Sequence, residues 1–256
     1  MRLTCLLCPV IFLGSAACGS APMGTLYARI SADRTLASAF TTDDDWSLSF
    51  SHVVVAVRGF TVIGGGVAGI TRTLDASKLI DFAKDSRLDL DTNSGASARS
   101  YDQVSLVLGR ATADDNVDVD ADLLGRVGAS TLYFEGTATK QSTTRQFQLG
   151  LPASVTYSTC MPGVTVEALG SAVVDFRVYA QRAFLDDAGL LRFDPWALAD
   201  AAPQDGLVVN SEAAAVQTST LPPAQYGATS GSLITVLQKR SLQLVGLGDS
   251  GTCAGQ

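Results

Sequence analysis

The sequence predicts a mainly β protein: a β-sandwich with a short C-terminal helical appendage. Three observations carry that expectation. Trp46, Leu48, Phe50, His52, Val54 and Ala56 alternate with Ser47, Ser49 and Ser51, the period of two that gives each face of a strand its own row of side chains. Short apolar segments separated by turn-forming residues recur from Thr25 to Tyr179, with little helical periodicity between them. After Phe184 the pattern changes, and apolar residues fall three and four apart. The expected order is a signal over residues 1–17, a tether over 18–24, a sandwich over 25–184 and an appendage over 185–256 packed on it.

The first segment carries one cation, Arg2, then an apolar run from Leu3 to Leu13, then small residues up to Cys18. That is the layout of a secretory signal. The run is too short for a transmembrane helix, which needs about 20 residues, and Pro9 interrupts it. The segment resembles the signal of bacterial lipoproteins, whose cysteine is lipidated and becomes the new N-terminus. The resemblance implies a lipid on Cys18, membrane attachment through it and, with Gly19 rather than aspartate next, an outer-membrane destination. Ser15 stands where that pattern usually has Leu, Val or Ile. Cleavage after Ala17 without lipidation, giving a secreted or periplasmic protein, is the alternative.

The chain has 256 residues, enough for a core that needs neither metal nor disulfide. Without Arg2 it keeps 17 basic against 25 acidic residues. Such a surface disfavours nucleic acid and anionic headgroups. Cys5 and Cys8 leave with the signal, and Cys18 takes the lipid. Cys160 and Cys253 then remain as an even pair in an oxidising compartment, which predicts a disulfide.

In chain order, Thr25–Ser31 alternates and forms a first strand. Asp43–Asp45 is a turn. The strand from Trp46 becomes apolar on both faces from Val53, as a central strand does, and Gly64–Gly66 ends it in a loop after Phe60–Ile63. Lys78–Ala83 predicts a short helical turn. Tyr101–Leu108 is a strand. Thr131–Thr137 and Arg145–Leu151 pair across a Thr139–Thr144 hairpin loop, and Val155–Ser158, Val164–Ala168 and Val173–Tyr179 complete the sandwich. A valine-rich strand, Leu74-Asp75 with Leu79, and Ser100-Tyr101-Asp102-Gln103-Val104 are together similar to a domain of bacterial lipoproteins with a transthyretin-like sandwich. Arg99 replaces the glycine usual in that family.

In the appendage, Asp194-Pro195 reads as an N-cap followed by proline at the first helical position, with Phe193, Trp196, Ala197 and Ala201 on one face. Asn210 or Ser211 caps a second helix through Val216. Pro222-Pro223 breaks the chain, and Leu233 to Leu244 forms a third helix, a strand over Leu233–Leu237 being the alternative. Asp205, Gly206 and Glu212 keep the second half of an EF-hand calcium loop: turn carboxylate, glycine and closing glutamate. Its first half is broken, since Ala201 and Pro203 fall on ligand positions and Asp200 lies one residue early. Phe184-Leu185-Asp186-Asp187, Arg192-Phe193-Asp194 and Asp205–Glu212 resemble a set of secreted bacterial lipoproteins with an intact loop. That resemblance implies histidines before the Phe-x-Asp-Asp and near the last cysteine, and residues 178–181 and 246–252 have none. Calcium at Asp200, Asp205 and Glu212 is therefore the lesser expectation, and a structural loop the greater.

Two further patterns are read structurally. Asp114, Asp115, Asp118, Asp120 and Asp122 repel one another and predict an exposed loop. Gly248-Asp249-Ser250-Gly251 spells the nucleophile motif of trypsin-like proteases, but His52, the single histidine, lies in phase with Leu48 and Phe50 and reads as a hydrogen-bonded strand residue. No catalytic residues or cofactor are expected. The sequence points to a lipid-anchored envelope protein acting as a binding or scaffold module, its partner another envelope protein or a polysaccharide. A calcium-dependent module is the alternative, and a secreted hydrolase the least supported one.

Overall fold

The computed structural model of the chain describes residues 22–64, 67–112, 119–161, 163–200, 205–249 and 251–256. Cys18 and the signal-like segment lie outside them. The first half runs β1 (Met23–Ala32), β2 (Phe40–Thr41), β3 (Ser47–Gly64), β4 (Val67–Asp81), β5 (Arg87–Ser97), β6 (Arg99–Tyr101), β7 (Gln103–Leu108) and α1 (Ala121–Val127). The second half runs β8 (Leu132–Lys140), β9 (Thr143–Leu151), β10 (Val155–Met161), β11 (Val164–Val166), β12 (Ser171–Val178), α2 (Asp194–Ala197), β13 (Leu207–Val209), α3 (Asn210–Ala215), α4 (Pro223–Tyr226), α5 (Leu233–Ser241), β14 (Val245–Leu247) and β15 (Thr252–Gly255).

The chain is mainly β, a sandwich with a helical appendage. One layer has the strand order β14-β12-β1-β5. The other is a nine-stranded sheet built on β3. The first part of β3 pairs with β8 and its second part with β7, while β4 runs along the opposite edge from Val54 to Gly64. Leu26, Ala28 and Ile30 of β1, with Val174, Phe176 and Val178 of β12, face the same core as Val53, Val55 and Val57 of β3. At the start of β1, against the turn that leads into β12, there is no room for a side chain at Gly24, since a Cβ there would sit 2.6 Å from the Glu167 carbonyl oxygen.

The single face expected for Trp46 through Ala56 is interrupted. A bulge between Phe50 and His52 shifts the phase by one residue, so Trp46, Leu48, Val53, Val55 and Val57 share the main core while Val54 and Ala56 point the other way. Their side is covered by α1, whose Leu123 and Val127 close a second small core with Leu79 and Tyr133. This is why β3 is apolar on both faces. The exposed loop expected across the acidic cluster therefore needs correction at its end: Asp120 Oδ1 accepts the Leu123 N–H at 2.8 Å and starts α1, while residues 113–118 lie outside the described residues.

Other expectations are also corrected. Of the helical turn expected over Lys78–Ala83, Lys78–Asp81 is instead the end of β4, with Leu79 and Ile80 buried in opposite cores as a strand requires, and a turn follows only from Phe82, closed by the Asp85 N–H to the Asp81 carbonyl at 2.9 Å. The strand over Tyr101–Leu108 divides at Asp102, β6 pairing with β11 and β7 with β3 and β10. The β8–β9 hairpin turns at Gln141-Ser142 rather than through a longer loop, with Gln141 at φ 54°. The third helix forms as α5, and the strand alternative there is not taken.

Candidate functional site

The region richest in buried polar chemistry is the junction between sandwich and appendage. It begins with apolar packing: Phe184 and Phe193 meet Phe147 of β9 at ring-centroid distances of 5.5 and 5.7 Å, and Trp196 meets Phe184 at 5.7 Å. All four rings are buried in the main core. Burying each such side chain contributes about 1.5–3 kcal/mol.

Around these rings the acidic motifs act as hydrogen-bond acceptors. Asp44 Oδ2 accepts the N–H groups of Phe193 and Asp194 at 2.8 and 2.7 Å, so α2 is capped from the Asp43–Asp45 turn rather than by Asp194, as the sequence suggested. Asp194 Oδ1 instead accepts the Trp46 indole N–H at 2.7 Å and a Lys140 ammonium hydrogen bond at 3.0 Å. Asp186 Oδ1 closes its own loop by accepting the Ala188 and Leu190 N–H groups, both at 2.9 Å. Asp187 accepts the Ala228 N–H at 2.8 Å and Arg240 Nη2 at 2.7 Å. Behind them the Tyr226 hydroxyl is buried with no hydrogen-bond partner among the described residues. Burial, then the Asp186 and Asp44 carboxylates, push its pKa up.

Next to Tyr226 is an open hollow of about 360 Å³ lined by Gln217, Thr218, Ser219, Thr229 and Ser230. Its floor is held in place: Thr218 Oγ1 donates to the Thr229 carbonyl at 2.7 Å, and Lys239 Nζ donates to Thr229 Oγ1 at 2.9 Å. Ser219 and Ser230 are exposed. The hollow sets the exposed Ser219 and Ser230 hydroxyls beside an apolar wall of Leu221 and Tyr226, a mixed polar and apolar lining. A larger hollow of about 470 Å³ beside α1 is lined, among the described residues, by Ala111, Thr112, Ala121, Leu124 and small residues.

The predicted calcium residues are not brought together. The Asp200 carboxylate is buried and lies 2.8 Å from Arg145 Nε. Asp205 Oδ1 accepts the Leu207 N–H at 2.9 Å, and Gly206 takes φ 64° at the turn. Glu212 Oε2 accepts the Val209 N–H at 3.2 Å, bracing the start of α3. Asp205 and Glu212 thus serve local backbone bonds and Asp200 an ion pair with a distant strand, and residues 201–204 lie outside the described residues. Asn210, one of the two expected caps, uses its side-chain amide to bond both the N–H and the carbonyl of Gly150, at 3.0 and 2.7 Å.

His52 Nδ1 lies 2.7 Å from Asp81 Oδ2, and Asp81 Oδ1 accepts the Val53 N–H at 3.0 Å. Glu135, directly across the ladder from His52, accepts bonds from the Tyr133 hydroxyl and Arg126. An imidazole oriented by a buried carboxylate is half of a nucleophile-activating arrangement. In the Gly248-Asp249 part of the protease-like motif, Tyr179 donates to the Gly248 and Asp249 carbonyls, and Arg177 pairs with Asp249. Ser250 lies outside the described residues.

The predicted disulfide is formed, joining Cys160 of β10 to Cys253 of β15. Asp44 as a remote cap and α1 as a cover were not legible in the sequence, since both depend on contacts far apart in the chain. The chain matches no protein-family model, and neither characterised proteins nor solved structures give a match.

Proposed function

We propose that this chain is a lipid-anchored protein of the cell envelope, held by Cys18 and acting through binding rather than catalysis. The observation that carries the reading is the Cys160–Cys253 bond. With those two paired, Cys18 is the odd cysteine of a chain cut after residue 17, and lipidation is what uses it. The hollow beside Tyr226, where the Ser219 and Ser230 hydroxyls flank Leu221 and the tyrosine ring, supports a partner with both polar and apolar faces such as an envelope polysaccharide, with a second envelope protein as the other partner class. Its rigid floor supports binding without a large ordering cost.

Fractionation of cells expressing the full chain tests the reading. The protein is expected with the membranes, released by detergent, and Cys18→Ala is expected to abolish that detergent dependence. Purified protein is expected to be retained on insoluble envelope polysaccharide, and Ser230→Trp, which fills the hollow, to reduce retention at least tenfold. A wild-type chain recovered free of membranes would overturn the anchor, and retention indifferent to Ser230→Trp would overturn the hollow as the binding site.

A further inference from the structure

Among the described residues, most of the large exposed apolar side chains gather at one end of the sandwich. Met23 (51 % exposed), Tyr27 (42 %), Val173 (43 %), Leu169 (97 %) and Met161 (50 %) are five of the seven large apolar side chains exposed among the described residues. Tyr27 and Val173 are direct cross-strand neighbours on the outer face of β1 and β12. Met23 lies on the same face of β1 as Tyr27, at the start of the strand, and its carbonyl accepts the Leu169 N–H at 2.7 Å. Met161 ends β10, where the chain turns into β11.

Leu169 is the most exposed of them and the least expected. It occupies the third position of the Glu167–Gly170 turn, closed by the Gly170 N–H to the Glu167 carbonyl at 3.0 Å, with φ 59°. Glycine or asparagine fits that backbone more easily than leucine. The other non-glycine residues at positive φ among the described residues are Asp45, Gln141 and Thr159, all polar. Water gives no reason to hold a leucine there, whereas a hydrocarbon boundary does.

The same end is where the tether joins. The Pro22 carbonyl accepts the Ala98 N–H at 2.8 Å, which fixes the chain to the sandwich beside Met23. Cys18 precedes Pro22 by four residues, a span of at most about 14 Å when fully extended. A lipid on Cys18 therefore keeps this end within that distance of the bilayer. Charged residues near this end are mixed in sign, Arg99, Asp102, Glu167 and Asp249 with the Arg29–Asp175 and Arg177–Asp175 pairs, and make no cationic patch, so the fit is to a zwitterionic surface.

We propose that this end of the sandwich seats on the bilayer, with Leu169 and Met23 entering the acyl-chain boundary and Tyr27 at headgroup level. The inference rests on the Cys18 anchor and adds a fixed orientation to it, with the Tyr226 hollow carried on the separate appendage. The test uses the full chain extracted from membranes and placed in phosphatidylcholine vesicles with brominated acyl chains. An environment-sensitive dye is attached at Leu169→Cys, at Met161→Cys, or at Ser86→Cys, whose position is bonded to Ala32 at the far end of β1. Dye at 169 and 161 is expected to shift to the blue and to be quenched at least threefold more than dye at 86. Equal, weak quenching at all three positions on a protein whose mass includes the lipid would overturn the docking and leave the anchor standing. A mass without the lipid would remove the anchor, and this proposal with it.

Discussion

Arg240 donates from Nη2 to Asp187 at 2.7 Å and from Nε to the Leu185 carbonyl at 2.9 Å, so α5 is clamped to the segment that leaves the sandwich. The Arg240 side chain is 8 % exposed and that of Asp187 15 %. Removing one partner of such a pair leaves a buried charge without its counter-charge. Asp187→Ala is expected to lower unfolding stability by about 3 kcal/mol, read from urea denaturation. Replacing both residues with apolar ones of similar size is expected to cost less than the two single changes added together.

The disulfide closes a loop between residues 93 apart in sequence. On the chain-entropy account its removal costs about 4–5 kcal/mol. Cys160→Ala with Cys253→Ala is expected to lower the urea midpoint by the corresponding amount. An unchanged midpoint would mean that β15 is held to β10 by its ladder alone.

Three of the six tyrosines, Tyr133, Tyr157 and Tyr226, have pKa values raised above the ordinary 10.0, first by burial. Tyr133 is raised further by Glu135, and Tyr226 by Asp186 and Asp44. The folded chain keeps these phenols protonated at a pH where the unfolded chain releases their protons. Their stabilising effect is therefore full below about pH 10 and lost as pH rises beyond it. Absorbance at the tyrosinate band is expected to show these three ionising only with the loss of β structure.

Asp200, Asp205 and Glu212 are engaged with Arg145, Leu207 and Val209 respectively. Thermal melting is accordingly expected to give the same midpoint in calcium and in chelator. A ligand bound to the native state must raise the midpoint, so an increase with calcium would revive the ion-dependent alternative.

The strands were legible where one face is wet, as at Thr25–Ser31 and Arg145–Leu151, because alternation survives there. Alternation was misleading on β3, where the Phe50–His52 bulge moves Val54 and Ala56 to the other core. A bulge inserts a residue without a compositional mark. The Lys78–Asp81 segment misled for a related reason: Leu79 and Ile80 enter different cores, so no wet face remained to show the strand period. At the junction, Phe193, Trp196 and Ala197 were legible as one helical face, and the Cys160–Cys253 pairing followed from counting. The roles of Asp44 and Asp187 were not, since an acceptor serving N–H groups some 150 or 41 positions away leaves no local spacing to read.

The central claim is the anchor, and intact-mass measurement of the mature protein extracted from membranes tests it most directly. The account predicts a chain beginning at Cys18, lacking residues 1–17 and carrying the added mass of a diacylglyceryl group. A chain beginning at Cys18 with no lipid mass, or one still carrying residues 1–17, would contradict it.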